Sequence, residues 1–297
     1  MVVRDELVTQ QLETVVEHLP ALDEGARNLA SALHAYILEG GENSRRLADL
    51  LHGTWLGHPL HPVLTDVTIG SWLFGTVFDV LSIFPFMGRM RRAADTLLTI
   101  GTISAVPTAL AGLTDYSGIK RSAAKYGLIH GLLNTLAFLA YLRSVRLRSG
   151  GSRFAALLFS LVGLSVATLS AYIGGDMVYR LNVGTNHAKK PTEPEQWTAI
   201  MPEADLAEQQ PVRVQVDGEP VLLYRKYGTV YAIGAVCSHA GGPLEQGTFY
   251  DFCVQCPWHD SVYDLRDGNP VHGPTTYRQP DYRARINNGQ IEIMVGG

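Results

Sequence analysis

Four long apolar stretches dominate the hydropathy pattern, at residues 63–86, 93–113, 126–142 and 154–178. Each has about the length an α-helix needs to cross a bilayer core, roughly 20 residues. A soluble helix carries a polar stripe along one side, and the fourth stretch shows almost none. The pattern therefore predicts four membrane-spanning helices. Short loops make consecutive spans neighbours in an up-down four-helix bundle. The second and fourth spans repeat small residues every fourth position (Gly101, Ala105, Ala109; Gly163, Ala167, Ala171, Gly175). In lipid such stripes let helix backbones approach closely.

The flanks read differently. Residues 1–57 are polar and acidic, with apolar positions at helical spacing (Leu12, Val15, Val16, Leu19, then Leu29, Leu33, Tyr36, Ile37), which predicts one or two amphipathic helices. No apolar core follows a basic start in this region, so no secretory signal is expected. Residues 184–196 read as a linker. Beyond them lie short β-type runs at 212–216, 221–224 and 230–233, separated by the turn pairs Asp217-Gly218 and Tyr227-Gly228. Asp217-Gly218 and Asn288-Gly289 are hairpin signals. The expected organisation is multidomain: a helical region at 1–57, an all-α four-span bundle at 58–183, the linker, and a small all-β domain at 197–297. No internal repeat stands out.

Composition agrees. Of 297 residues only 18% are charged, below the roughly 25% of a soluble globular chain. The net charge is −4 and no basic stripe is present, which argues against a nucleic-acid partner. Three cysteines are too few for a disulfide framework.

Two segments of the β domain carry the candidate chemistry. Cys237-Ser238-His239 precedes Cys256-Pro257-Trp258-His259. Two cysteines and two histidines can hold zinc, but a zinc finger places its cysteines in one element and its histidines in another. Here each segment offers one of each. That arrangement suits a two-iron cluster in which Cys237 and Cys256 bind one iron and His239 and His259 the other. At these residues the chain resembles the Rieske family, in particular its ferredoxin-like members. The motifs Cys237-Ser-His-Ala-Gly-Gly-Pro-Leu244 and Cys256-Pro-Trp-His259 carry the resemblance, and Tyr263-Asp264-Leu265 and Asp267-Gly268 extend it.

The resemblance implies a [2Fe-2S] cluster and one-electron transfer to a redox partner protein through an exposed histidine edge. High-potential members have a disulfide at the places held here by Gly242 and Trp258, so that brace is missing. Ser261 and Tyr263 stand where such members donate hydrogen bonds to the cluster sulfurs, which raises the potential. The expected potential is in the lower-to-middle part of a range of about −150 to +300 mV. Cys253 reads as a small buried hydrophobe. Asp260 replaces a glycine that is common after the second histidine.

The membrane part has its own candidates. His58 and His61 precede the first span, with His61 near its N-cap, and His130 lies about one turn into the third, with Asn134 on the same face. In an up-down bundle these residues gather at one end, together with Asp66, Asp115, Asp176 and His187. Ionisable groups at membrane depth are expensive and point to function. His58, His61 and His130 are candidates for ligating a haem b or a metal; a quinone pocket and plain helix bridging remain open. Asp79 and Asp95, at the other end, are expected to pair with Arg89, Arg91 or Arg92. The segment from about His52 to Val183 is similar to an uncharacterised bacterial four-helix membrane family, domain of unknown function 2231, on the strength of Gly57-His-Pro-Leu-His-Pro62 and His130-Gly-Leu-Leu-Asn134.

Positive-inside counting does not settle orientation. The missing disulfide suits a reducing compartment, and the β domain is expected on the cytoplasmic face of the cell membrane, with lipid around the spans. The function expected is a membrane-anchored electron carrier. The alternatives are a quinol or quinone oxidoreductase with its active site among the membrane His and Asp residues, and a non-enzymatic redox sensor.

Overall fold

The computed structural model describes residues 8–119, 123–189 and 194–295. Part of the expected linker, residues 190–193, lies outside the described residues. The chain forms two compact units. One contains helices α1 (Val8–Glu17), α2 (Ala21–Ile37), α4 (Leu60–Leu81), α5 (Met90–Tyr116), α6 (Ala123–Ser149) and α7 (Arg153–Tyr179). The other contains α3 (Glu42–His52) and every strand described. The N-terminal region is thus not one domain: it divides near residue 40, and its two parts join different units.

Helices α4 to α7 are all long and apolar enough to cross a membrane. Helix α4 packs along α5 and α6 along α7, while α5–α6 and α4–α7 contacts close the ring. The bundle is apolar outside and small inside. Phe74, Ile103, Leu136 and Val162 are exposed, whereas Ala94, Gly101, Ala105, Ala156, Ser160 and Gly163 are buried. This fits lipid, where apolar surface gains nothing by leaving the outside and association depends on close packing and interhelical hydrogen bonds. Helix α2 lies on α5 and α6: Ala26 and Ala30 pack with Tyr116 and Ala124, and the Tyr116 hydroxyl donates to the Ala26 carbonyl at 2.9 Å.

The two hairpins of the bundle, α4–α5 and α6–α7, repeat each other. Trp72 stacks on Tyr141 with ring centres 4.3 Å apart. A Cβ on Gly101 would lie 2.6 Å from Trp72, and one on Gly163 would lie 2.9 Å from Tyr141. His61 Nδ1 donates to the Thr108 carbonyl at 2.9 Å, and His130 Nδ1 donates to that of Ser170 at 2.8 Å. Gly112 faces the His61 ring as Gly174 faces that of His130. Asp79 meets Arg148, again at equivalent positions. The pairs on α4 and α6 share one sequence offset and those on α5 and α7 share another. The bundle is therefore an internal duplication with pseudo-two-fold symmetry, which corrects the sequence reading.

The ion pairs at one end also differ from expectation. Arg148 reaches Asp79 at 2.5 Å and Asp95 at 3.2 Å, and Arg153 reaches Asp95 at 3.0 Å. Arg148 and Asp79 are both about 5% exposed or less. Arg148 in the last turn of α6 and Arg153 at the start of α7, rather than Arg89, Arg91 and Arg92 around the start of α5, hold these carboxylates because the bundle brings the end of α6 against α4. His61 lies in the first turn of α4 rather than at its N-cap.

The strands are β1 (Thr198–Pro202), β2 (Pro211–Val216), β3 (Glu219–Lys226), β4 (Thr229–Gly234), β5 (Thr248–Tyr250), β6 (Cys253–Gln255), β7 (Val262–Asp264), β8 (Pro270–His272), β9 (Asp281–Asn287) and β10 (Gln290–Val295). They make a six-stranded sheet, β1-β10-β9-β4-β3-β2, and a four-stranded sheet, β5-β6-β7-β8. The hairpin turns Asp217-Gly218, Tyr227-Gly228 and Asn288-Gly289 all have positive φ at both residues, the type I′ geometry that matches strand twist.

Removing one partner of the Asp79–Arg148 pair leaves a buried charge, which costs about 3–5 kcal/mol, whereas replacing both with apolar groups is close to neutral. Asp79→Leu or Arg148→Met alone is expected to lower the unfolding midpoint in detergent strongly. The double replacement is expected to restore most of the loss, as thermal scanning of the purified chain will show.

Candidate metal centre

Two loops of the strand-bearing unit have the same backbone design. In the first, the Cys237 amide donates to the Gly242 carbonyl at 2.8 Å and the Gly241 amide returns to the Cys237 carbonyl at 2.8 Å. In the second, the Cys256 amide donates to the Ser261 carbonyl at 2.8 Å and the Asp260 amide returns to that of Cys256 at 3.2 Å. The fourth residue after each cysteine is left-handed: Gly241 at φ +79° and Asp260 at φ +63°. Glycine enters that region without steric cost and aspartate tolerates it, so a glycine is natural at position 260 on conformational grounds alone.

These loops bring the four predicted ligands together. The His239 and His259 rings stand 4.9 Å apart, nearly perpendicular. Cys237 and Cys256 are buried within a cluster that includes Leu222, Ile233, Leu244, Val254 and Leu265. His259 is buried and His239 is partly exposed. A Cβ on Gly242 would lie 2.8 Å from Cys256 Sγ and 3.1 Å from Trp258. The two positions at which the family resemblance puts a bracing disulfide are thus neighbours, and this one is kept clear by glycine.

The surroundings of both sulfurs bear on their ionisation. Burial opposes ionisation of Cys237. Hydrogen bonds from the Cys256 thiol, the Tyr263 hydroxyl and the His239 and Ala240 amides outweigh it and bring the thiol down to about 7. Cys256 is pushed up by its hydrogen bond with Cys237 and by burial, while the Trp258 and His259 amides oppose the rise. Two buried thiols in mutual contact, surrounded by N–H donors, fit a site where a positive centre takes both as thiolates. The donor set, two sulfurs and two imidazoles on opposing loops, fits a [2Fe-2S] cluster.

Tyr263 and Ser261 lie in this environment, both fully buried. The Tyr263 hydroxyl lies 3.1 Å from Cys237 Sγ, within reach to donate to that sulfur when it is a thiolate. Burial and the adjacent Cys237 push its pKa well up, so its proton is retained. Ser261 Oγ accepts the Thr275 amide at 3.2 Å. Sequence reasoning missed Ser238, whose hydroxyl lies 2.9 Å from that of Tyr263, 2.8 Å from Thr275 Oγ1, and donates to the Tyr277 carbonyl at 2.9 Å. Cys253 lies on β6, partly buried, where burial pushes its thiol up.

Helix α3 was also unforeseen here. Asp49 accepts the His272 Nδ1–H at 2.8 Å and the Gly273 amide at 2.8 Å. Buried His52 fills the space a Cβ on Gly273 would need. Arg45 donates to the Asp260 carbonyl at 3.2 Å, beside His259. The segment before the first apolar helix therefore supports both the second ligand loop and the residues leading to Thr275. No sequence signal links Asp49 to a loop more than two hundred residues away.

Of the three membrane histidines, His61 and His130 come together, with ring centres 6.4 Å apart. His58 does not join them. It is exposed, its Nδ1 bonds to the adjacent Pro59 carbonyl, and it belongs to the other compact unit, as does His187. Asp176 is held by Arg180, which also pairs with Glu13.

Residues 196–283 match the family described as Rieske [2Fe-2S] domain, and residues 57–187 match that described as Predicted membrane protein (DUF2231). The anthranilate 1,2-dioxygenase ferredoxin subunit of Burkholderia cepacia is 31% identical over 101 residues, which cover 34% of this chain and 94% of the relative. Sulredoxin of Sulfurisphaera tokodaii is 31% identical over 109 residues, covering 33% of this chain and 98% of the relative. Among solved structures, the ferredoxin of carbazole 1,9a-dioxygenase from Nocardioides aromaticivorans IC177 is 27% identical, with a TM-score of 0.33, covering 34% of this chain and 99% of that one.

Cys256→Ser and His259→Ala are each expected to abolish iron and sulfide retention by the full-length chain, whereas Cys253→Ser retains both, as elemental analysis will register. Asp49→Ala leaves a buried amide and an imidazole short of their acceptor, which costs about 1–3 kcal/mol. Denaturant unfolding is expected to show the strand-bearing unit weakened by that amount.

Proposed function

Because the chain belongs to the Rieske [2Fe-2S] family through its strand-bearing part, we propose that it is a membrane-anchored carrier of single electrons. Cys237 and Cys256 hold one iron as thiolates, and His239 and His259 hold the other as neutral imidazoles. The bound cluster supplies one-electron redox chemistry at biological potentials. The observation that carries the reading is the convergence of the two matched loops, each giving one thiol and one imidazole to a single place.

The residues around the ligands have separable tasks. Buried Leu, Val and Ile side chains keep water from the sulfurs, and the amides of both loops offset the thiolate charge. Tyr263 donates toward Cys237, and Ser261 stands fully buried two residues past His259. His239, the partly exposed ligand, is the edge at which a redox partner protein docks. One relative is named as the ferredoxin subunit of a dioxygenase, so an oxidoreductase is the class of partner we assign. No second iron site of the oxygenase kind is needed on this chain for that task.

The four apolar helices tether the carrier in lipid, with the cluster on the cytoplasmic face. A haem or a quinone in the helical unit is the membrane-side partner of this reading. A quinol–quinone oxidoreductase is the second reading, and the juxtaposition of His61 and His130 is what favours it.

Reduction of the detergent-solubilised chain with dithionite is expected to give the rhombic EPR signal of mixed nitrogen and thiolate ligation, with an average g below that of the free electron. Its absence from iron-loaded protein would sink the proposal. Turnover with a soluble quinol would move the second reading to first place. Tyr263→Phe removes a donor that favours the more negative, reduced state, so it lowers the potential. A hydrogen bond worth about 1 kcal/mol corresponds to roughly 40 mV for a one-electron couple, which protein-film voltammetry resolves.

A further inference from the structure

The pair of histidines inside the bundle has a chemistry that its hydrogen bonds define. A carbonyl oxygen only accepts, so the bonds to Thr108 and Ser170 place the proton on Nδ1 of both His61 and His130. In the neutral rings Nε2 then carries the lone pair. On His130 the Asn134 amide is consistent with this, its Nδ2 lying 3.0 Å from Nε2 as a donor. Tying Nδ1–H to a backbone carbonyl is how proteins orient imidazoles that bind metals through the other nitrogen.

The surroundings are made for two rings and not for other side chains. A Cβ on Gly112 would lie 2.9 Å from His61, and one on Gly174 would lie 2.9 Å from His130. Both imidazoles are thus seated against the neighbouring helix, and the duplicated hairpins bring them to equivalent positions. The ring centres are 6.4 Å apart and the planes differ by 84°. With metal–nitrogen bonds of about 2.0–2.1 Å, two trans Nε2 ligands put their ring centres roughly 6 Å apart. A tetrahedral ion would draw them to about 5 Å. Gly131 and Gly175, each next in sequence to one of these residues, face open space.

We propose that His61 and His130 are the trans ligands of one d-block metal in the helical unit, either the iron of a haem b or a bare copper ion. Imidazole suits both metals. Asn134 gives up its bond to Nε2 when the metal enters, and the Thr108 and Ser170 carbonyls keep the rings oriented. Gly112 and Gly174 are positioning residues, since a side chain at either would push an imidazole off its seat. The site stands on its own geometry, while its use as an electron acceptor rests on the carrier reading.

The test uses the full-length chain, purified in detergent from cells supplied with a haem precursor and, separately, with copper. Haem is shown by a Soret band and a sharp α band on reduction, at about one per chain. Copper is shown by one equivalent in metal analysis without those bands. Either result supports the site if it is lost in His61→Ala and His130→Ala. Cys256→Ser is expected to lose the cluster EPR signal yet keep the metal, which separates failure of this site from failure of the carrier reading. Where the alanine variants do not fold, His130→Met decides the haem case: it retains haem, with shifted bands and a raised potential. For copper, Gly174→Leu is expected to lower the content several-fold. The proposal is overturned if wild-type protein holds neither metal, or if content and spectra do not respond to these substitutions.

Discussion

Two buried thiols that touch each other are the constraint around which the strand-bearing unit is organised. Cys237 and Cys256 each sit about 1% exposed in an apolar cluster, where two thiolates would repel and a lone one would lack solvation. The fold meets this with peptide geometry. Each loop turns through a left-handed residue four positions after its cysteine, and the turn directs amides at sulfur. Tyr263 adds a hydroxyl from the floor of the site. A single centre of positive charge shared by both sulfurs would complete the balance, and no cation of this chain's own side chains reaches them among the described bonds.

The helical unit answers a different constraint with a similar economy. In lipid no apolar driving force presses helices together, so large rings must be matched to gaps. Trp72, Tyr141, His61 and His130 each face a glycine on the adjacent helix, and each is tied to or stacked on its counterpart or a partner helix. Between these layers run hydroxyl contacts such as Thr68 with Ser104 and Thr108, and Ser144 with Ser160. The buried Arg148–Asp79 pair closes one end. A duplicated hairpin produces such layers in pairs, and divergence has made one pair oppositely charged.

Much of this was legible in the sequence, for identifiable reasons. Long apolar runs and period-four small residues announced the spans, the pairs Asp217-Gly218 and Asn288-Gly289 announced two hairpins, and the ligand segments stood out because each joins a thiol to an imidazole. The duplication was hidden because its two helices carry different offsets, and because Gly, Ala, Ser and Thr substitute for one another where only smallness matters. The partners of Asp79 and Asp95 were misread because proximity along the chain favoured Arg89, Arg91 and Arg92, whereas folding favours Arg148 and Arg153. His58 shares a motif with His61 but not a unit. Asp49 offered no pattern at all, since one carboxylate bridging two groups of a distant loop leaves no periodicity.

The role of α3 bears on how the whole chain must thread. The strand-bearing unit is discontinuous, built from residues on both sides of the four long helices. Asp49, His52 and Arg45 complete the loops at Gly273 and Asp260, so the two pieces must lie in one compartment before the unit is whole. An even number of spans returns the chain to the face it left, whereas three or five would separate the pieces by the bilayer. The four-helix insertion and the α3 contacts therefore require each other.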